Sequence, residues 1–451
     1  MTKMARAYWV ACGVGVVMAI GAGRASAQSA PVSLSLEDAL ARGKATAPRL
    51  AEAVARQQAA AATVTSREAM KRPTVSASAA YQRTNHVEEY AIPQAGGGLR
   101  VLFPDIPNNY RGRADAAMPL YTGGRIEALV ASAEADKLAA DADLKTAGAD
   151  AALDVARAYW SLVTAREAER VVEQGLRRMD AYVSDVKARV DAGVLPPNDL
   201  LSAQAQRARQ SVALIQARNA ASVAQSDLCR LVGLDLDTTI LPTASLMAPI
   251  PSVAAMSALP INAMTEQARA GRTERDALTR RAEAARAAGD ASRAALRPQI
   301  SVSGGVEESR PNARIVPRVD AFHSSWEAGV GVTWQLFDGG KGKADRAAAA
   351  AQATALERRR DDFDAMLGVE LRQRRGDVEA GKAALAASAE AVSAATEARR
   401  VITERFKAGV ATSTDVLDAE NALLEAELER TRLAAALRLS EARLLRAVGG
   451  E

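Results

Sequence analysis

Two strings decide how this chain is read: "AGVLPPNDLLSAQ" at residues 192–204 and "AGVATSTDVLDAE" at 408–420. Each interrupts a long Ala-, Arg-, Glu- and Leu-rich tract with a glycine, followed closely by an acid suited to the start of a new helix. Asp199 and Asp415 are 216 residues apart. The same offset aligns "PLYTGGRIEA" (119–128) with "QLFDGGKGKA" (335–344), and "CRLVG" (229–233) with "LRAVG" (445–449). One spacing shared by three matches means a duplicated unit without net insertion between them. "KRPTVSAS" (71–78) also matches "LRPQISVS" (296–303), at an offset of 225, so the first copy carries nine extra residues ahead of its long tract. A loop is where extra residues are tolerated.

Each copy reads as helix, strand, loop, strand, very long helix, tight turn, long helix. "SLED" opens the first copy, with Ser35 and Asp38 in a capping-box pattern. No proline occurs from about 125 to 190 or from about 341 to 406. Each tract would span on the order of 100 Å, far longer than a globular helix. Gly193 and Gly409 fit helix C-termini, Asn198 reads as the N-cap of the first returning helix, and Thr412 with Asp415 reads as a capping box for the second. In that second helix Leu417, Leu424, Leu428, Ala435, Leu439 and Ala442 form one apolar stripe. Val416, Leu423, Ala426, Leu433, Leu437 and Leu444 form another about 100° round. Two stripes require neighbours on both sides, as in the wall of a cylinder. The predicted division is a signal peptide (1–27), a first repeat (28–233; strands 73–121, helical hairpin 125–233), a Pro-rich connector (234–260), and a second repeat (261–451; strands 298–337, hairpin 341–449).

Composition agrees with rods. Of the 451 residues 48% are hydrophobic but only 4% aromatic, with alanine dominating the apolar share. Narrow alanine-lined seams suit such a chain better than thick globular cores. Lys3 and Arg6, the apolar run from Tyr8 to Gly21, and "ASA" at 25–27 make a signal peptide, so export and a mature start near Gln28 are expected. With the leader go Lys3, Arg6 and Arg24, leaving 55 basic against 54 acidic residues. Charges that alternate along helices at near-zero balance describe a solvated surface and give no reason to expect a nucleic-acid partner. Cys12 leaves with the leader, so Cys229 is alone, reads as packing, and cannot form an intrachain disulfide. Past the leader no run is apolar and long enough for a transmembrane helix.

The strands alternate. Trp326, Ala328, Val330, Val332, Trp334 and Leu336 share a face, with Glu327, Thr333 and Gln335 opposite. Tyr110, Ala114, Ala116, Met118 and Leu120 oppose Arg111, Arg113 and Asp115. Val75, Ala77, Ala79 and Tyr81, then Ile300, Val302 and Val306, supply partners. An apolar face at period two fits a soluble sheet on a core or a lipid-facing barrel wall. Trp326 and Trp334, about 26 Å apart along a strand, fit aromatic belts at two membrane interfaces, and no bulky helix is left to cover the sheet. Single-chain membrane barrels begin at about eight strands, and an open edge in lipid leaves backbone groups unsatisfied. Four strands must therefore be completed by other copies.

"RPTVSAS" and "RPQISVS", "LYTGG" and "LFDGG", and "AGV…NDLLSAQ" and "AGV…TDVLDAE" together make the mature chain resemble the TolC family of outer-membrane efflux proteins. The resemblance implies a homotrimer, twelve strands in one outer-membrane barrel continued by a periplasmic α-helical tunnel. It also implies a passive exit duct of a tripartite efflux or type I secretion system. Its partners would be outer-membrane lipid, a periplasmic adaptor, and an inner-membrane transporter of RND or ABC type. Asp415 and Asp418 match positions where the family places aspartates lining the periplasmic entrance, and Asp199 matches an acid that helps tie that entrance shut. The family has an arginine where Ala411 stands and a tyrosine where Phe406 stands, so the aspartates carry over as gate candidates and the closed-state locks do not. Adaptor docking falls on the tip turns, Gly193, Val194 and Leu195 with Gly409, Val410 and Ala411. Tyr81 and Tyr110 join Trp326 and Trp334 as expected interface aromatics.

Two other classes fit the chain less well. An exported coiled-coil rod or adhesin explains the leader and the long helices, but not amphipathic strands with spaced tryptophans. An enzyme needs a titratable cluster, yet His86 and His323 lack partners at ligand spacing. "DGGKGKAD" (338–345) lacks the spacing of a phosphate-binding loop, and "TGGRIEAL" lacks its lysine, so a glycine bend is the reading. No cofactor or metal is expected.

Overall fold

The computed structural model describes residues 31–248 and 251–450. The expected signal peptide lies outside these residues. In chain order the elements are β1 (Val32–Leu34), α1 (Leu36–Thr46), α2 (Pro48–Ala69), β2 (Thr74–Arg83), β3 (Tyr90–Pro93), β4 (Leu99–Phe103), β5 (Asn108–Tyr121), α3 (Arg125–Asp191), α4 (Pro197–Val232), β6 (Ile240–Pro242), α5 (Pro251–Ser257), α6 (Ile261–Gly271), α7 (Thr273–Ala294), β7 (Gln299–Arg310), β8 (His323–Thr333), α8 (Lys341–Lys407) and α9 (Ser413–Val448).

The duplication is metrically strict. The rods α3 and α8 each run 67 residues, and the returning helices α4 and α9 each run 36. The rods hold together because alanine, arginine, glutamate and leucine favour helix and no proline intervenes. The opening helix of each copy is broken once. Pro48 stops α1 and starts α2, with Ala47 extended between them. In the second copy Arg272 plays the same part between α6 and α7. Ser35 caps α1 as expected, accepting from the Asp38 amide at 3.1 Å.

Helix neighbours follow from length. The short α2 and α7 flank the upper parts of the rods, and α4 and α9 flank the lower parts. The upper level reads α2, α3, α7, α8 side by side, and the lower level α4, α3, α9, α8. The two stripes of α9 meet different partners. Leu424 lies against Gly175 of α3, and Leu437 lies against Gly381 of α8, at glycines that let the helices approach closely. One side of the layer ends in α2 and α4 and the other in α8. Only a handful of α8 side chains are buried, whereas α3, with helices on both sides, buries many.

The sheet repeats this order. Its strands run β2, β5, β7, β8, all antiparallel, and each leads into or out of the helix standing at the same place in the layer. Val75 lies opposite Ala116, Ala114 opposite Val306, and Val306 opposite Trp326, so one face is continuously apolar. Nothing among the described residues covers it: Val75 is 78% exposed, Trp326 70% and Val330 68%. The other face carries Arg113, which reaches Asp115 at 2.7 Å, Glu307 at 3.5 Å, and Glu327. Arg314 adds a 2.5 Å bond to Glu327. Two guanidinium groups and three carboxylates thus interlock there, tying β5, β7 and β8 and the loop that carries Arg314.

Several expectations need correction. β8 ends at Thr333, so Trp334 and Leu336 lie beyond the strand; the Trp334 indole donates to the Leu296 carbonyl at 3.1 Å. The loop between β2 and β5 holds a further hairpin, β3–β4. The connector is not merely a breaker. Its β6 pairs in parallel with β1, and α5 follows. Tyr159 of α3 clamps that junction, donating to the Leu34 carbonyl and accepting from the Ala244 amide, both at 3.1 Å. Leu34, Tyr159, Leu162, Leu228, Cys229 and Ile240 bury there, which satisfies the packing role expected of Cys229. Among the described residues no helix is long and apolar enough to cross a membrane.

Candidate functional site

At the far end of the rods both hairpins turn by the same backbone device. The Val194 amide bonds the Arg189 carbonyl at 2.8 Å and the Gly193 amide bonds Val190 at 2.9 Å; Val410 bonds Arg405 at 2.9 Å and Gly409 bonds Phe406 at 3.0 Å. Gly193 and Gly409 sit at φ +72° and +76°. No atom lies within 4 Å of where a Cβ would stand on either, so backbone conformation alone, rather than lack of room, demands glycine. Val194 and Val410 project into solvent, while Leu195 and Ala411 pack down onto the tip core.

The two returning helices start differently. Thr412 and Asp415 form the full capping box: the Asp415 amide donates to Thr412 Oγ1 at 3.2 Å and the Thr412 amide to Asp415 Oδ2 at 2.8 Å. Those bonds from the Thr412 amide and hydroxyl hold the Asp415 carboxyl below the usual aspartate range. In the first copy Pro196 occupies the cap position and offers no side-chain bond, so Asn198 is not the N-cap; it lies within the first turn of α4. Pro197 supplies the helical φ that the missing cap would otherwise have to enforce. Asp415 and Asp418 are exposed one turn apart, and Asp199 is half-buried.

Behind the turns lies a core that the sequence reading did not assemble. Met179, Tyr182, Val186, Ala203, Phe406 and Val416 bury together from α3, α4, α8 and α9. The Tyr182 hydroxyl meets Ser413 Oγ at 2.7 Å, joining α3 to the first residue of α9. Burial pushes the Tyr182 phenol up, with Asp199 and Asp185 adding to the effect. The Arg189 guanidinium stands 5.0 Å over the Phe406 ring. One level higher, Glu420 is buried between two cations, with Arg178 at 3.1 Å and Arg399 at 3.2 Å. This carboxylate bonds α3 and α8 to α9 at once. Its signal was within reach, since Glu420 falls on the Val416–Leu423 stripe where an acid is out of place.

At the opposite end Tyr81 and Tyr110 pack at 5.0 Å, and Tyr110 and Phe322 at 6.0 Å, where the sheet gives way to its loops. His86 is not without a partner: its Nδ1 lies 2.6 Å from Asp105 Oδ2 in the loops flanking the β3–β4 hairpin. His323 opens β8, its carbonyl accepting from Asn312. No group of three or more metal-binding side chains occurs among the described residues.

The family model for outer membrane efflux proteins matches residues 39–234 and 264–450, one match for each copy. No curated protein sequence matches the chain. Among solved structures the fold is similar to the outer membrane protein VceC from Vibrio cholerae (20% identical, TM-score 0.73), covering 92% of this chain and 96% of that one. It is also similar to the Campylobacter jejuni outer membrane channel CmeC (14%, TM-score 0.75, 92% and 85% covered). The open state of the Neisseria gonorrhoeae channel MtrE gives 19%, TM-score 0.71, with 92% and 89% covered. With a family match over both copies, and a doubled rod-and-strand architecture to carry it, the chain belongs to the outer membrane efflux protein family and is an outer-membrane exit duct for efflux, mainly helical with a β-barrel contribution.

Proposed function

We propose that three copies close into one twelve-stranded barrel continued by a twelve-helix tunnel, and that this tube passively conducts cargo outward. The observation that carries the proposal is the coincidence of edges. β2 and β8 are the unpaired edges of the sheet, and the helices in line with them, α2 with α4 and α8, are the free flanks of the layer. One head-to-tail contact would satisfy both, and such a contact repeats until it closes. Two copies would give eight strands, whose interior side chains fill; three is the smallest number that leaves a lumen. In that arrangement the apolar face of Val75, Val306, Trp326 and Val330 meets lipid and the Arg113–Glu327 network faces the pore. Tyr81, Tyr110, Trp326 and Trp334 act as interface aromatics.

The two repeats, 28–233 and 261–451 about the connector 234–260, would then place six tip turns at the periplasmic mouth. Asp415 and Asp418 of three copies give a ring of carboxylates favouring cations, with Asp199 behind them. Gly193, Val194 and Leu195 with Gly409, Val410 and Ala411 form the rim that a periplasmic adaptor grips, linking the duct to an inner-membrane transporter of RND or ABC type. The decisive experiment is the double substitution Asp415→Lys with Asp418→Lys in planar bilayers. The reversal potential in a salt gradient should move from cation towards anion preference; an unchanged potential would take these residues out of the pore. Light scattering of the detergent-solubilised protein should return the mass of three chains.

A further inference from the structure

The duplication allows the contact between copies to be read from the contact within one copy. Positions in the rods and returning helices correspond at an offset of 216, and positions in α2 and α7 at 225. The correspondence holds where it can be checked. Leu50 of α2 lies over Gly148 of α3, and the equivalent residues of α7 and α8, Arg275 and Asp364, are joined at 2.9 Å. The seam of α3 against α7 and α9 is internal. Its counterpart is α8 of one copy against α2 and α4 of the next.

The internal seam is polar. Thr146 and Thr273 hydroxyls meet at 2.7 Å, and Arg446 joins Asp150 at 2.8 Å and Glu274 at 2.6 Å. The equivalents on α8 are Asp362 for Thr146 and Met366 for Asp150, and on the other flank Pro48, Arg49 and Arg230 for Thr273, Glu274 and Arg446. Both halves of this second seam stand open. Asp362, Met366 and Val369 are exposed along one stripe of α8, the last two at 65% each. On the opposite flank the break at Pro48 leaves a notch of about 510 Å³ between α2, α3 and α4, floored by Val155, Ala158 and Leu231 and rimmed by Arg49, Arg157 and Arg230, which pair with Asp154 and Asp227. In the second copy the matching notch is filled by α3 at Asp150.

We propose that Met366 and Val369 of one copy seat in this notch of the next, with Asp362 beside Pro48 and Arg49 and with Met366 beside Arg230. The inference rests on the trimeric reading above and adds its register. An apolar pair fits an apolar floor, and its flanking acid meets a rim that holds three arginines to two aspartates. The seam between chains is therefore apolar where the seam within the chain is ionic.

The test uses the full-length protein in outer-membrane vesicles, in a Cys229→Ala background, with Asp362→Cys and Pro48→Cys in the same chain. The thiols should lie as close as the Thr146–Thr273 pair, within reach of a disulfide. Mild oxidation should give a ladder of two and three chains on a non-reducing gel, while Thr146→Cys with Thr273→Cys should close within one chain. A three-chain mass by light scattering without the ladder overturns this register and leaves the trimer standing; a one-chain mass overturns both. Met366→Asp, which copies the internal seam opposite Arg230, should keep the detergent-resistant trimer, and Met366→Arg should lose it at temperatures the parent withstands. A trimer equally resistant with Met366→Arg also overturns the proposal.

Discussion

At the scale of the residue, Asp415 serves two ends with one carboxylate. Oδ2 accepts the Thr412 amide and hydroxyl, both at 2.8 Å, which ends the loop and starts α9, and its charge remains exposed at the tip. Because those bonds favour the ionised form, the folded-state pKa lies below the unfolded one. The stabilisation is therefore fully present above the ordinary aspartate value of about 3.9 and is lost as pH falls through the lower folded value. The share of cation preference that Asp415 supplies in bilayers should accordingly persist from neutral pH down to the ordinary aspartate range and fade only below it. Reversal potentials measured across that series check this; a loss already complete near pH 6 would mean that other groups set the selectivity. The capping box was legible from Thr412 and Asp415 alone, because a cap is a local hydrogen-bond problem. Asn198 misled for the same reason in reverse: it is a good capping residue, but the two prolines before it already fix the backbone. Tyr182, Phe406 and Glu420 were not assembled beforehand because they lie on separate helices, and only the packing of rods brings them together.

At the scale of the element, the long rods were readable to within a residue or two, since absence of proline and the strict offset fix both ends. The connector was not. Its prolines forbid a continuing helix, but they say nothing of a three-residue strand whose partner, β1, lies some two hundred residues away. What secures that segment is a buried ion pair. Arg438 and Glu441 meet at 2.5 Å, both nearly inaccessible, and Arg438 Nε donates to the Leu246 carbonyl at 2.9 Å. Burial pushes the Glu441 carboxyl up, despite Arg438 pulling it down. Arg438→Ala, which strands the acid and frees the connector, should cost roughly 3–5 kcal/mol. Glu441→Gln should cost less, because it resembles the protonated form that burial favours. Thermal unfolding followed by circular dichroism in detergent ranks the two; equal losses would show that the pair is not what fastens the connector.

At the scale of the whole molecule, the sheet cannot be understood as a folded object by itself. Among the described residues nothing covers its apolar face and both edges are unpaired, so on the proposed reading its stability belongs to the assembly in lipid. Val330→Lys, on the apolar face, should cost about 2–4 kcal/mol if it lies near the bilayer midplane. The amount of assembled protein recovered from outer membranes should fall with it, whereas Ser303→Lys on the polar face should assemble normally. Equal recovery of the two would reverse the assignment of faces. Both faces were visible in the period-two pattern, and the need for further copies followed from counting strands, but the alignment of sheet order with helix order was visible only in the folded chain.

The matched lengths of the two arms, 67 and 36 residues in each, carry one more implication. In the proposed trimer six hairpins of one measure would end on a common plane, so the mouth would be level without any residue there having to make it so. A deletion confined to one arm would leave alternate hairpins short and the rim crenellated. Ancestral shortening or lengthening of such a duct must then have come as paired edits, the same cut made twice in one gene.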